Sequence, residues 1–321
     1  MLASVDAPWP ASPVIEPKWD GVRTIITLRA DGTVALRSRN GKDVTAAYPE
    51  LHVRPTSMDG RDGVFDGEVI AVDEAGRCSF QLLQRRMNVI NPSAATRRAT
   101  PVYFVVFDVL WLDDADTASA PLAHRRALLE ELIPAPVHAW QLTNRFNGPV
   151  TDELLEMARE AGLEGLILKG DGSYRPGMRT KNWVKVKFRR SRLVVVGGRA
   201  TDSSSLAVGV FHDGGLRYLG QVGIAMPRSQ ADQLDAFLLT IRQPNSPFVD
   251  LDPKAAVAFV EPHVVVEVSY LEVTHAGTLR QPILDSVRPD IRADTVVADE
   301  ELLAVLSNRT GPIKMRANQR L

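Results

Sequence analysis

The run Val102–Leu112, VYFVVFDVLWL, constrains this chain more than any other segment. It is apolar save for Asp108 and is rich in Val and Phe. Such a run suits a buried strand, because only a covered strand keeps this many apolar side chains from water. The segments around it mix strands and helices. Val22–Leu28 and Val34–Ser38 flank Asp31-Gly32, a hairpin signal. Val64–Val72, Leu166–Lys169 and Trp183–Phe188 read as strands, and Phe80–Met87 and Leu122–Leu132 as helices. Asp152–Ala161 reads as a third helix, capped by Thr151, with Leu154, Leu155 and Ala158 on one face and Gly162 as its stop.

After Arg190 the texture changes. Leu193–Val196, Leu206–Phe211, Leu216–Val222 and Val264–Val273 are short strands separated by Gly and Asp turns, with one helix around Ser229–Ile241. Short strands with a single helix suit a small β-barrel such as an OB-fold. The boundary falls near Arg189–Arg192, which gives domains over residues 1–190 and 191–321.

Bulk properties set limits but no function. The net charge is −1, so any grip on a phosphate backbone must come from a local patch. The segment Lys181–Arg192, KNWVKVKFRRSR, is the best candidate, with six Lys or Arg in twelve residues. The single cysteine, Cys78, excludes an intrachain disulfide and fits a reducing cytosol. The segment MLASVDAPWPASP has neither the basic nor the apolar region of a signal peptide. No window of about 18 apolar residues exists, so no helix is expected to span a membrane. The six histidines show no ligand spacing, and G-x-x-x-x-G-K-[ST] is absent, which excludes a P-loop enzyme.

Chemistry enters through polar residues set among strands that should be buried. Glu16-Pro17-Lys18-Trp19-Asp20-Gly21-Val22-Arg23 precedes an apolar strand. A lysine followed by Asp-Gly sits naturally at a tight turn and, alone, means little. Its companions are Asp66-Gly67-Glu68, Glu164-Gly165-Leu166-Ile167-Leu168-Lys169 and Trp183-Val184-Lys185-Val186-Lys187. In the last, alternation points both lysines to one face of a strand. Charged groups in such places need partners or a ligand. Lys18, Lys169, Lys185 and Lys187 beside Glu68 and Glu164 would make a pocket for a polyphosphate with metal ions.

The ordered set E-x-K-x-D-G-x-R, D-G-E, F-D, E-G-[apolar]₃-K and W-x-K-x-K, from Glu16 to Lys187, resembles the ATP-dependent DNA ligases, members of the covalent nucleotidyltransferases. FQLLQRRM (Phe80–Met87), VVFDVLWLD (Val105–Asp113) and YRPGMRTKNWVKVK (Tyr174–Lys187) look like the bacterial subgroup related to the ligase module of end-joining enzymes. The length leaves no room for the polymerase and nuclease modules of some relatives, so a stand-alone two-domain ligase is expected. The resemblance implies an α+β fold: a nucleotidyltransferase (ATP-grasp-like ligase) domain with antiparallel sheets and flanking helices, then an OB-fold β-barrel.

The resemblance also implies residue roles. Lys18 is the nucleophile that attacks the α-phosphate of ATP and becomes lysyl-AMP, its amine neutralised by neighbouring cations. Glu16 contributes to the adenine pocket. Arg23 and Arg39 resemble the arginines that contact ribose and the nick 5′-phosphate. Glu68 binds ribose and helps hold a metal ion, with Glu164 as the main metal carboxylate, paired with Lys169 at the other end of the same strand. Magnesium or manganese suits such oxygen ligands. Phe107 is either the aromatic stacked on adenine or a core phenylalanine, since the run around it is apolar. Asp108 supports it. Lys185 and Lys187 contact the α-phosphate, and Arg179 the AMP or the phosphates. Lys181, Arg189, Arg190 and Arg192 are DNA-backbone contacts or a solvated run.

In the second domain, Arg280 and the segment Arg288-Pro289-Asp290-Ile291 resemble the last ligase motif, but Ile291 stands where a lysine is usual. Arg280 or Arg292 could compensate. The implied partners are nicked duplex DNA and DNA-repair or end-joining proteins, for a monomer in the bacterial cytosol, at the nucleoid. Two rivals stand beside this reading. One is an RNA ligase or a capping-type guanylyltransferase of the same superfamily, separable by the nucleotide accepted and the strand joined. The other is a non-catalytic repair scaffold, separable by whether Lys18 takes up AMP.

Overall fold

The computed structural model describes residues 1–5, 7–74, 76–87, 89–146, 148–252 and 255–307. The chain divides into two compact units, one ending at Phe188 and the next starting at Arg189.

Two sheets build the first unit. One has strand order β1-β10-β9-β2, from β1 (Leu2–Ser4), β2 (Val14–Pro17), β9 (Gly165–Lys169) and β10 (Arg179–Lys187). The other runs β4-β3-β5-β6-β7, with β8 also paired to β6: β3 (Val22–Leu28), β4 (Val34–Ser38), β5 (Gly63–Ala71), β6 (Val102–Leu112), β7 (Ala115–Asp116) and β8 (Trp140–Leu142). The helices α1 (Phe80–Gln84), α2 (Ala94–Ala99), α3 (Leu122–Leu132) and α4 (Asp152–Glu160) complete it. The hairpin between β3 and β4 turns at Asp31-Gly32, where Gly32 takes φ +97° and the Asp31 carboxylate accepts from the Thr33 amide. Helix α4 is capped as its sequence predicts: the Thr151 hydroxyl accepts from the Leu154 amide, and Gly162 leaves at φ +73°.

Each sheet has its own core. Ile15, Leu166, Leu168 and Val184 point from the first sheet toward Ala158 of α4. The second sheet packs Ile26, Leu36, Phe65, Phe104 and Val106 with Leu129 of α3 and with Trp140. The apolar run Val102–Leu112 is the long strand β6, as expected. Its pairing with β5 carries two register shifts, Val64↔Trp111 to Phe65↔Val109 and Asp66↔Asp108 to Gly67↔Val106. Phe107 and Leu110 are therefore the extra residues of two β-bulges, a device that turns side chains to the other face of a strand.

The second unit is a closed barrel in the order β11-β12-β13-β15-β14. Its strands are β11 (Arg190–Ala200), β12 (Ser205–His212), β13 (Gly215–Ile224), β14 (Val257–Tyr270) and β15 (Ile283–Val287). Helix α5 (Arg228–Thr240) lies between the third and fourth strands in sequence, the OB-fold arrangement, and α6 (Glu300–Leu306) follows. Two features differ from expectation. The fourth strand begins at Val257, ahead of the expected Val264, and β15 lies in the segment read only as a motif. Valine-rich pairing to β11 along most of its length holds β14 extended across the Glu261-Pro262 break in its pattern.

Candidate active site

The floor of the site is the pocket-facing side of the first sheet. Strand β9 pairs with β2 so that Glu16 lies opposite Ile167, and with β10 so that Lys185 lies opposite Ile167, Trp183 opposite Lys169 and Lys187 opposite Gly165. Period-two alternation then puts Glu16, Ile167, Lys169, Trp183, Lys185 and Lys187 on one face and the apolar core on the other. Lys18 follows β2, with its amide donating to the Gly165 carbonyl at 2.9 Å. The two motif glycines here are dictated by crowding. A Cβ on Gly21 would lie 2.2 Å from the Val69 carbonyl, and one on Gly165 would lie 2.0 Å from the Val186 carbonyl.

The second sheet supplies the remaining walls. Arg23 from β3 lies opposite Glu68 of β5. The bulge turns Phe107 out of the core of its own sheet, and it packs instead with Met1, Tyr174 and Trp183. Its ring meets Trp183 edge-on at 6.5 Å, and the Lys169 ammonium stands 4.8 Å from its centre. One pocket is lined by Glu16, Lys18, Arg23, Arg39, Glu68, Phe107, Lys169, Arg179 and Lys185. Phe107 thus lines the pocket while also packing on a small buried cluster.

Electrostatics divide the pocket into two ends. At one end the Lys18 ammonium contacts the Glu164 carboxylate, whose other oxygen is 3.7 Å from Lys187. Burial pushes the Glu68 carboxyl up to about 8, against the pull of Lys18 and Arg23 and with the push of Asp66 and Glu164. Desolvation lowers the proton affinity of Lys185, and Lys187, Arg179, Lys18 and Arg39 lower it further. A carboxylate pair beside clustered cations is what a polyphosphate with a divalent ion requires. No group of three or more His, Cys, Asp or Glu suited to a metal ion occurs among the described residues. Magnesium uses one or two carboxylates and takes its other ligands from water and phosphate, so Glu68 and Glu164 fit it.

At the other end, Glu16 and Lys169 form a buried pair at 2.7 Å, and the same lysine donates to the Phe107 carbonyl at 3.1 Å. The expected pairing of Glu164 with Lys169 does not form: the two ends of β9 lie apart, so Glu164 pairs with Lys18 and Lys187, and Lys169 with Glu16. Burial raises the Glu16 carboxyl, opposed first by Lys169 and then by Arg126.

Arg23 is engaged by the protein itself. It pairs with both oxygens of the fully buried Asp66, at 3.0 and 2.5 Å, and donates to the Tyr174 hydroxyl and the Met1 carbonyl. Arg179 lines the pocket and donates to the Ala3 carbonyl at 2.7 Å. Arg39 is exposed at its rim, whereas Lys181 is exposed and does not line it. In the second unit, Arg189 donates to the carbonyls of Ser269 and Gln281, and Arg190 contacts Glu301. Arg192 is held by Asp299, Glu301 and the Tyr270 hydroxyl. Ile291, at the position usual for a lysine, packs on the barrel core. Arg288 pairs with Asp290, Arg280 with Glu272 and Arg292 with Asp294.

The motifs containing Asp66 and Tyr174 gave those two residues no role, and Arg125 and Arg126 lay outside every motif. The signal was there in α3. Leu122, Arg125, Arg126 and Leu129 hold the i, i+3, i+4, i+7 positions of its inward stripe, and all four are buried. Two arginines on such a stripe require acidic partners. Arg125 pairs with Asp108 through two contacts, at 2.6 and 3.1 Å, with both side chains fully buried.

The family model described as the ATP dependent DNA ligase domain matches residues 6–187, and that for the ATP dependent DNA ligase C terminal region matches residues 199–291. The chain belongs to the ATP-dependent DNA ligases. Among ligase relatives, the multifunctional non-homologous end joining protein LigD of Mycolicibacterium smegmatis is 36% identical over 296 residues, covering 88% of this chain and 37% of that protein. A probable DNA ligase of Streptomyces coelicolor is 32% identical, over 80% of this chain and 51% of its own length. The chain thus spans little more than a third of the LigD relatives. Among ligase structures, mycobacterial DNA ligase D complexed with ATP and MES is 34% identical, with a TM-score of 0.54, over 93% of this chain and 97% of that one. A Lig E DNA ligase, 18% identical with a TM-score of 0.58, shares the fold. No helix among the described residues of this ligase is long and apolar enough to cross a membrane.

Proposed function

We propose that this chain seals nicks in duplex DNA with ATP, through a lysyl-AMP on Lys18, in a DNA-repair setting of the end-joining kind named for its LigD relatives. The observation that carries the reading is the Lys18 amine in a pocket lined also by Glu68 and Lys185, and held by Glu164, whose other oxygen faces Lys187. In the first step the Lys18 amine attacks the α-phosphate of ATP, a P–N bond forms, and pyrophosphate leaves. The attacking amine must be neutral, so its pair with Glu164 opens before the bond forms. Lys185 and Lys187 meet the charge that develops on the α-phosphate. Glu16, Lys169 and Phe107 receive the base, and Arg23 and Glu68 lie toward the ribose. Glu68 and Glu164 would hold a divalent cation, magnesium or manganese. Once bound, the ion supplies charge neutralisation at the phosphates.

The AMP then passes to the 5′-phosphate of a nick as a 5′-to-5′ anhydride, and the 3′-hydroxyl displaces it to close the strand. Each transfer is an in-line displacement at phosphorus, where positioning and charge do most of the work. Arg179, at the pocket, meets the AMP or the nucleotide phosphates, and Arg39, Lys181, Arg189 and Arg190 are the proposed contacts to DNA phosphates.

The test has two arms. Incubation with ATP and magnesium should add one AMP to the intact mass, and Lys18→Ala should remove that addition. The labelled protein should then join a nicked DNA duplex. Labelling that persists in Lys18→Ala, or labelled protein that leaves nicked DNA open, would refute the proposal.

A further inference from the structure

The Glu16 carboxylate sits between two cations. Lys169 holds Oε2 on the pocket side at 2.7 Å. Oε1 is buried without a hydrogen bond, and so is Nη1 of Arg126, which faces it at 3.6 Å. Arg126 is anchored from behind. Its Nε donates to Glu130 at 3.0 Å and its Nη2 to the Thr143 carbonyl at 2.9 Å, while the Thr143 hydroxyl accepts from Trp19, the neighbour of Lys18. Arg126 is not among the residues that line the pocket.

We infer that Arg126 is a positioning residue that keeps Glu16 ionised and fixed, so that the pocket reads a 6-amino purine and rejects a 6-oxo purine. An ionised carboxylate only accepts hydrogen bonds, whereas a protonated one also offers an O–H donor. The acceptor suits the amino group of adenine and repels the carbonyl of a 6-oxo base. A neutral Glu16 would serve both. Burial favours the neutral form, and this is the effect Arg126 opposes with Lys169. The inference rests on the proposed adenylylation of Lys18 and on Glu16 facing the base.

The test compares labelling of Lys18 by ATP and by inosine triphosphate, which differs in carrying oxygen at position 6. Arg126→Gln should lower the preference for ATP about tenfold, mainly through a higher KM for ATP. Arg126→Lys, which keeps a charge, should retain most of that preference. In a Glu16→Gln background, Arg126→Gln should change the preference no further. If Arg126→Gln does not fold, Arg126→Met, which keeps the aliphatic stem, takes its place. Equal loss with both nucleotides, or equal loss of preference in the Lys and Gln variants, would overturn the inference. Wild-type protein that fails to label, or labels without Lys18, refutes the proposed function instead, which keeps the two failures apart.

Discussion

Lys18 gains its character from Glu164, which it contacts at the end of β2 while Lys187 approaches the same carboxylate from β10. Glu164→Gln keeps the shape and removes the charge that orients both amines. The rate of AMP addition to Lys18 should fall by about 10²–10³, the scale set by loss of one preorganised electrostatic contact. Quenched-flow mass spectrometry would read this. Glu68 offers a pH test. Its carboxyl ionises near 4.5 ordinarily but holds its proton up to about 8 in the folded chain. A raised value means that the stabilising contribution is full below about 4.5 and is lost as pH rises toward 8. Glu68→Gln removes that loss. Without nucleotide or metal, its Tm at pH 8 should exceed that of the parent by roughly 2–4 °C, with a much smaller gap at pH 5. Scanning calorimetry at both pH values checks the sign, and an equal gap at both would remove the linkage argument.

At the scale of the element, strand β6 shows how one run serves two masters. Phe104 is fully buried and meets Trp140 edge-on at 4.9 Å, whereas Phe107 leaves the core at a bulge and enters the pocket. The same substitution should therefore give opposite readouts. Phe104→Ala should cost about 3–5 kcal/mol of stability and leave the KM for ATP nearly unchanged in the folded fraction. Phe107→Ala should cost little stability and raise that KM. Urea unfolding and ATP titration of the labelling rate separate them, and a large stability loss at Phe107 would return it to the core. Helix α3 likewise does more than cover the sheet. Its two buried arginines fix Asp108 beside Phe107 and Glu16 beside Lys169.

At the scale of the whole molecule, each unit carries a buried core of its own. Leu219 belongs to the barrel core and Phe104 to the core of the second sheet. Each unit should unfold as its own cooperative body. Leu219→Ala should lower one calorimetric transition and Phe104→Ala the other, each by the equivalent of about 2–5 kcal/mol. A single transition shifted equally by both would show one cooperative body. Charge is also a whole-molecule matter. With a net charge of −1, the proposed grip on DNA would fall to local basic residues, and in the barrel Arg190 and Arg192 are already engaged by acids near or in α6.

The amino-acid sequence by itself determined the family, the α+β unit followed by an OB-fold barrel, and the ordered charged motifs, because these rest on short-range patterns. Alternation sets the face of Lys185 and Lys187, a capping threonine starts α4, and Asp31-Gly32 turns the hairpin. Tertiary structure alone decided which partner each charge takes and which side of β6 each aromatic faces. A run with no polar alternation carries no record of its own register, so only pairing with β5 could place bulges at Phe107 and Leu110. The arginines of α3 were visible as a flaw in an apolar stripe, yet their partners lie on β6 and β2, brought near by packing that no local pattern encodes.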